Sequence, residues 1–422
     1  MSVTASALRH PVFRRLFAAQ VVALAGTGLL TVALGLLAFD LAGSAAGAVL
    51  GTVLAVKMLA YVFVAPPMAV LTDRLPRKTV LIAADCTRAG VAVLLPFVDE
   101  IWQVLVLVFV LQAASATFTP AFQSVIPAVL PGEQTYTRGL ALSRLAYDVE
   151  AMASPVIAAA LLTVMTYNSL FVGTVAGFLG SALLVRNAAI PAAAADHSPW
   201  RRRLQSGIRV MLTDNDLRAL AAMNLTVAAA TALVLVNTVV YVRDMLGGDD
   251  AAVALALACF GAGSMAAALT VPRLLLRLDD RVVMLAGAAA AAAGMLVTAA
   301  TLLVFGLTWA TLAGAWVLLG AATSMVNTPA GRLLRRASTD TNRTAVFSAQ
   351  FSLSHAGYLL TYPLAGWVGA TVNQGLAAAI LAILSSFAAL AAIWIVVRGT
   401  GGKARRPART VPEPRPRQLT GP

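Results

Sequence analysis

Charge is scarce in this chain. Asp, Glu, Lys and Arg make up 12% of its 422 residues, against about 25% in a soluble domain. With 59% hydrophobic residues and a mean hydropathy of +0.83, an ordinary soluble globule is excluded. Cysteine is nearly absent: Cys86 and Cys259 fall in different apolar stretches, which rules out a disulfide framework. Three unclustered histidines and no His-rich tail give little support to a soft-metal site, and no metal ligands are assigned. No Gly-x4-Gly-Lys-Ser/Thr loop is present, so ATP does not power the chain directly. No cofactor and no enzymatic centre are expected. Lysine occurs only at positions 57, 78 and 403, and arginine supplies nearly all the positive charge. That bias suits a GC-rich bacterial genome.

Long uncharged runs dominate what is present. Leu16–Phe39, Ile101–Gly132, Ala151–Val185, Ala219–Val242, Ala251–Pro272, Val282–Gly331 and Thr344–Val397 carry no Asp, Glu, Lys or Arg. A helix crossing a bilayer needs about 20 apolar residues, so several runs hold one helix and the last two hold two each. The first run exceeds a signal-peptide core and is expected to remain as a helix. Polar breaks place twelve spans near residues 16–40, 46–71, 79–97, 101–124, 136–164, 168–190, 216–243, 250–276, 281–305, 308–332, 343–370 and 374–398. The expected fold class is all-α integral membrane.

The spans form two halves. "TFTPAF" from Thr117 recurs as "VNTPAG" from Val326, "ASPVIAA" from Ala153 as "TYPLAGW" from Thr361, and "DRLPRKTVL" from Asp73 faintly as "LRLDDRVVML" from Leu276, all offset by about 205 residues. Two six-helix pseudo-repeats, 1–190 and 215–398, with a substrate site near the midplane between them, make a transporter plan. The connector 191–214 contains "HSPWRRRLQSGIRVML" and reads as a basic amphipathic segment on the membrane surface. Residues 399–422, rich in Pro and Arg, read as a disordered basic tail.

Orientation follows from counting. With the N-terminus in the cytoplasm, only Arg243 of the 31 basic residues falls outside, and only Lys57, Arg88 and Arg144 fall within spans. The outer turns carry Asp40, Asp99, Glu100, Asp244, Asp249 and Asp250 instead. Both termini are therefore expected in the cytoplasm of a bacterial cell, with the chain in its inner membrane. The net charge of +13 reports topology, not a nucleic-acid site.

One loop concentrates charge: "LTDRLPRKTVL", Leu71–Leu81, between the second and third spans. It resembles the loop signature of the major facilitator superfamily, roughly Gly-x-Leu-x-Asp-Arg-x-Gly-Arg-Lys. Leu71, Asp73, Arg74, Arg77 and Lys78 match, while Ala69 and Pro76 replace glycines. "DCTRAG" at Asp85 and "FTPAFQSVIPAVLP" at Phe118 are similar to the branch of enterobactin exporters, macrolide efflux proteins and nickel-resistance exporters. The resemblance implies a twelve-helix secondary transporter working as a monomer in the bilayer. It implies proton-coupled export of a small amphiphilic molecule, a drug or a siderophore. Two rivals stand beside it: a nickel or cobalt exporter using Asp148, Glu150 and His355, and a non-transporting receptor or assembly partner. The fourth span lacks the Arg, and Ser154-Pro155 replaces the Gly-Pro, that proton-linked drug exporters of the superfamily often carry.

Asp73 is expected at a helix end, where a neighbouring helix N-terminus favours an anion. Arg138 or Arg343 would pair with it in a cytoplasmic gate that also includes Arg74, Arg77 and Lys78. The plainer reading is that these residues only fix topology. Within the spans lie Lys57, Asp85, Arg88, Arg144, Asp148 and Glu150. Each charge costs about 2.5–3.5 kcal/mol at the bilayer centre, so all six uncompensated would exceed a typical folding stability of about 5–15 kcal/mol. They must be paired, hydrated or functional. Asp85 and Arg88 (i,i+3) and Arg144 and Asp148 (i,i+4) each share a helix face. Lys57 and Glu150 lack a partner on their own helices, and both reach the midplane. Glu150 is thus a proton-carrier expectation, with Lys57 as conditional partner; buried pairing for helix packing is the other reading. His355, with Tyr358 and Tyr362, is either a packing residue or a cavity group.

Overall fold

The computed structural model describes residues 5–42, 46–191 and 199–403. The expected tail beyond 403 and residues 192–198 of the connector lie outside that range. After a short turn at Ala5–Leu8 come α1 (Pro11–Ala42) and α2 (Ala46–Phe63, then Ala65–Leu71). They are followed by α3 (Arg77–Leu94), α4 (Ile101–Val129), α5 (Glu133–Leu162) and α6 (Tyr167–Arg186). The connector helix is Trp200–Thr213. The second set is α7 (Asn215–Val240), α8 (Asp250–Leu274), α9 (Asp280–Ala300), α10 (Trp309–Ala337), α11 (Arg343–Pro363) and α12 (Gln374–Lys403). All twelve expected spans are present as helices.

Local chemistry sets the boundaries. In α2 the two segments meet at 45°, because Pro66 and Pro67 open the second and lack the N–H groups that would continue the first. Pro76, in extended geometry, starts α3. Glu100 and Gln103 form a capping box at α4. Asp214 accepts the Asp216 and Leu217 amides at α7, and Asp249 the Ala252 amide at α8. In the second set, α7, α9 and α11 each end in a π-helical turn, at Tyr241–Met245, Thr301–Phe305 and Leu364–Val368.

Nine described helices are long and apolar enough to cross a membrane, and the bent α2 makes ten. α5, which carries Arg144, Asp148 and Glu150, and α11, which carries Ser348, Gln350, Ser352, Ser354 and His355, complete the twelve. Both pack against the other half. α5 packs on α8 and α10, and α11 packs on α2 and α4.

Each half has its own core layers. At the end bearing the "DRLPRK" loop, hereafter the basic end, Phe13, Leu81, Phe122 and Ile126 form one core, and Leu217, Met284, Val346 and Phe347 another. At the opposite end Leu37, Leu95 and Phe171 pack separately from Tyr241, Trp316 and Leu381. Among the described residues one cluster joins the halves: Ala65, Ala116 and Phe351.

Lipid tails are as apolar as Leu, so helices in a bilayer associate through close packing at small residues. The α8–α10 contact shows this. A Cβ on Gly263 would fall 2.0 Å from the Val317 carbonyl oxygen, and one on Gly320 1.9 Å from that of Phe260. Backbone cannot yield as a side chain can. Gly320→Val is therefore expected to destabilise the protein by about 1–3 kcal/mol or more, read as a lower unfolding temperature in detergent. Unchanged stability would mean that α8 and α10 lie further apart.

Candidate functional site

Polar groups gather on a seam where the two halves meet. At the basic end the seam is a clamp of four charges. Glu133 opens α5 and Asp280 opens α9, where helix N-termini favour anions; Arg332 and Arg336 sit one turn apart near the C-terminus of α10, which favours cations. Arg332 lies 2.8 Å from Glu133 Oε1 and 2.9 Å from Asp280 Oδ1. Arg336 lies 2.6 Å from Asp280 Oδ2 and also donates to Glu133. Asp280 is almost fully enclosed. Arg336 holds the Glu133 carboxyl below the usual carboxylate range, chiefly by its hydrogen bond.

Further hydrogen bonds and a cation–π contact extend the clamp. Tyr136 Oη donates to the Gly331 carbonyl at 3.0 Å, and Arg332 Nη1 to Thr137 Oγ1 at 2.8 Å. The Arg335 guanidinium lies 5.1 Å from the centre of the Tyr136 ring and donates to the Pro131 carbonyl. Further along, Ser124 and Thr344 hydroxyls meet at 3.2 Å, and Ser352 donates to the Val62 carbonyl.

The loop residues singled out by sequence surround a second part of this end. Arg77 is buried at the start of α3, within electrostatic reach of Arg343, Asp340 and Asp73. Arg343 pairs with Asp340 at 2.7 Å, a partner three residues away in the short α10–α11 turn. Asp73 lies with Ala69, Val70, Ser206, Thr341, Asn342 and Ala345 around a small cavity where α2, the connector helix and that turn converge. Arg74 is exposed, while Lys78 and Arg138 are half-buried.

Further along α5 from the clamp, the seam holds a bridge. Arg144 and Asp148 pair at 3.1 Å along α5. Ser264, on α8 of the other half, donates to Asp148 Oδ2 at 2.8 Å and accepts from Arg144 Nη2 at 2.9 Å. Sequence reasoning missed Ser264, because a serine within an apolar run carries no signature. It also missed the clamp, whose arginines were counted only as evidence of topology.

Other intramembrane charges serve different contacts. Asp85 and Arg88 form a buried pair within the first half. The Arg88 guanidinium lies 4.4 Å from the Phe118 ring centre and 4.5 Å from that of Phe178, a cation–π sandwich. Glu150 accepts from Ser154 at 3.5 Å and feels Lys57 electrostatically. Lys57 Nζ lies 5.7 Å from the Tyr61 ring centre. That ring begins an aromatic row across the seam. Tyr61 of α2 lies 4.9 Å from Phe351 and 4.8 Å from His355, both on α11. Tyr358 is 5.8 Å from His355, and Tyr362 is 5.2 Å from Tyr358. His355 Nδ1 donates to the Phe351 carbonyl at 2.7 Å. Among the described residues, no three His, Cys, Asp or Glu side chains are grouped to hold a metal ion.

A family model for the Major Facilitator Superfamily matches residues 16–294 and 219–420. The chain belongs to that superfamily. It is therefore a multi-pass integral membrane protein with the facilitator fold. Macrolide efflux protein A of Streptococcus pyogenes is 29% identical over 184 residues, covering 42% of this chain and 45% of that protein. The protein of the same name from Enterococcus faecalis is 30% identical over 138 residues, covering 32% and 42%. The chain thus spans less than half the length of the curated relatives it matches. Among solved structures, the fucose:proton symporter of E. coli superimposes with a TM-score of 0.72 at 19% identity, covering 91% of this chain and 98% of that one. A bacterial homologue of the iron transporter ferroportin gives 0.74 at 13% identity, covering 92% and 99%. These facilitator structures share the fold along nearly the whole chain.

The clamp yields a prediction. Asp280, Arg332 and Arg336 all belong to the second half, and Glu133 supplies the carboxylate from the first half that pairs with both arginines. Glu133→Gln should weaken the basic-end closure, read as lower cross-linking between cysteines placed at the start of α5 and the end of α10. Unaltered cross-linking would show that Glu133 does not hold this end together.

Proposed function

We propose that this facilitator exports a small amphiphilic molecule, of the macrolide or siderophore kind, by alternating access, with protons moving inward in exchange. The observation that carries this reading is the aromatic row from Tyr61 to Tyr362, which runs across the seam beside Lys57 and Glu150. Aromatic faces beside a few placed charges suit a ligand with an apolar body and polar groups. Efflux is supported by the macrolide efflux relatives. Proton coupling is supported by ionisable groups held in the membrane, where they are costly unless used or paired.

In this reading the basic end faces the bacterial cytoplasm, in accord with the positive-inside distribution. Residues 1–190 and 215–398 are the two rocking units, and the protein works as a monomer. The clamp, together with Asp73, Arg74, Arg77, Lys78, Arg138 and Arg343, closes the cytoplasmic side.

Reconstituted protein should accumulate a labelled macrolide in liposomes only when a pH gradient is imposed, and a protonophore should abolish it. Equal uptake with and without the gradient would remove proton coupling. Failure to move macrolides or other amphiphiles would remove the substrate class. For the gate, Asp73→Asn is expected to insert into the membrane normally and lose at least about tenfold in flux. Normal flux would leave that loop a topological role alone.

A further inference from the structure

We propose that Asp148 is the site of the coupling proton and that Ser264, on the opposite half, is the positioning residue that turns its protonation into movement between the halves. This rests on the proton-coupled reading above and assigns that role to one carboxylate.

Two carboxylates lie two residues apart on α5, and their partners differ in kind. Glu150 accepts from Ser154 on its own helix and faces Lys57 of α2, and its oxygen lies 3.0 Å from where a Cβ on Gly28 of α1 would stand. All of these belong to the first half. Protonating Glu150 therefore rearranges contacts within one rigid unit. Asp148 instead accepts a hydrogen bond from Ser264 across the seam, at 2.8 Å. Arg144 closes a triangle, pairing with Asp148 at 3.1 Å and donating to Ser264 at 2.9 Å. Its charge is thus held by one residue from each half.

Little else acts on Asp148. At the level of Asp148, the stretches of α1, α8 and α10 beside α5 belong to uncharged runs, Leu16–Phe39, Ala251–Pro272 and Val282–Gly331; the charged end of α10, Arg332 to Arg336, meets α5 several turns away, at Glu133 to Thr137. The thiol in that α8 stretch, Cys259, packs with the core at the opposite end of the second half. From α11, Tyr358 lies close enough to feel Arg144. Glu150 and Lys57 lie to the side, on the other face of α5.

The proton balance is simple. In the conformation seen here, closed at the basic end, a proton from the opposite side binds Asp148. The carboxylate becomes a neutral acid, Ser264 loses its charged acceptor, and Arg144 loses its counter-ion. A charge-assisted bond across the seam becomes a weaker neutral one, and the halves are freed to rock. Once the basic end opens, Arg144 favours loss of the proton to that side, and the charged pair re-forms. One proton crosses per cycle, and no other reactant is consumed.

The test measures the distance between spin labels placed on the two halves at the basic end, in lipid nanodiscs, from about pH 5 to about pH 8. The wild-type distance should change with pH. Asp148→Asn should abolish that response and lower gradient-driven macrolide accumulation by at least about tenfold, while downhill exchange persists. Asp148→Glu should restore a pH response with a displaced midpoint, which a merely misfolded protein would not do. Ser264→Ala should displace the midpoint, and Glu150→Gln should keep the response. A wild-type response retained in Asp148→Asn, or lost only in Glu150→Gln, overturns the assignment while leaving proton coupling intact. Wild-type protein indifferent to pH in both distance and flux overturns the coupled reading and this assignment with it.

Discussion

A single charge at the bilayer centre costs about 2.5–3.5 kcal/mol on insertion scales, and lipid offers it no partner. The first half nevertheless places six ionisable groups within its spans. The fold answers by keeping them off the lipid face. Asp85 and Arg88 neutralise each other inside the half, with aromatic rings on both sides of the guanidinium. Arg144, Asp148, Glu150 and Lys57 lie at or near the seam, where polar groups of the second half or of neighbouring helices can reach them. Helices α5 and α11 carry much of this polar complement, and each packs across the seam on helices of the other half, α8 and α10 for α5 and α2 and α4 for α11.

The same constraint makes the seam a place where the structure can exist in more than one arrangement. Apolar contacts between helices tolerate lipid in exchange for protein, whereas a buried ion pair must be kept or replaced. At the basic end Glu133, Asp280, Arg332 and Arg336 satisfy one another across the halves. At the other end the two halves pack into separate cores. Closure is therefore held by polar contacts at one end, and these can be exchanged with water when that end opens. The seam's aromatic row offers a ligand an apolar wall at the level where the two halves meet.

Sequence revealed the spans because length and apolarity are properties of contiguous residues. The starts of α2, α4 and α12, at residues 46, 101 and 374, followed from the breaks before them for the same reason, but α4 runs on through Pro120 and Pro127 to Val129 and α12 runs on to Lys403, past the ends expected at 124 and 398. It also revealed the Arg144–Asp148 pair, since one helical turn separates its members. Contacts between distant segments were not legible. Ser264 has no feature that marks it among the small residues of α8. Asp280 and Arg332 looked like separate ends of separate helices, and only the fold brings them to Glu133. Arg343 pairs with Asp340, three residues away in the α10–α11 turn, a local contact that was not anticipated.

If the halves rock about this seam, the two ends must move in opposition. Spin-label distances between the halves, recorded at the basic end and at the opposite end of the same preparation, test this most directly. Populations with a short distance at one end should have a long distance at the other, and bound substrate should redistribute them without creating a state open at both. Distances that widen or narrow together at the two ends, or that never change, would contradict rocking about a polar seam.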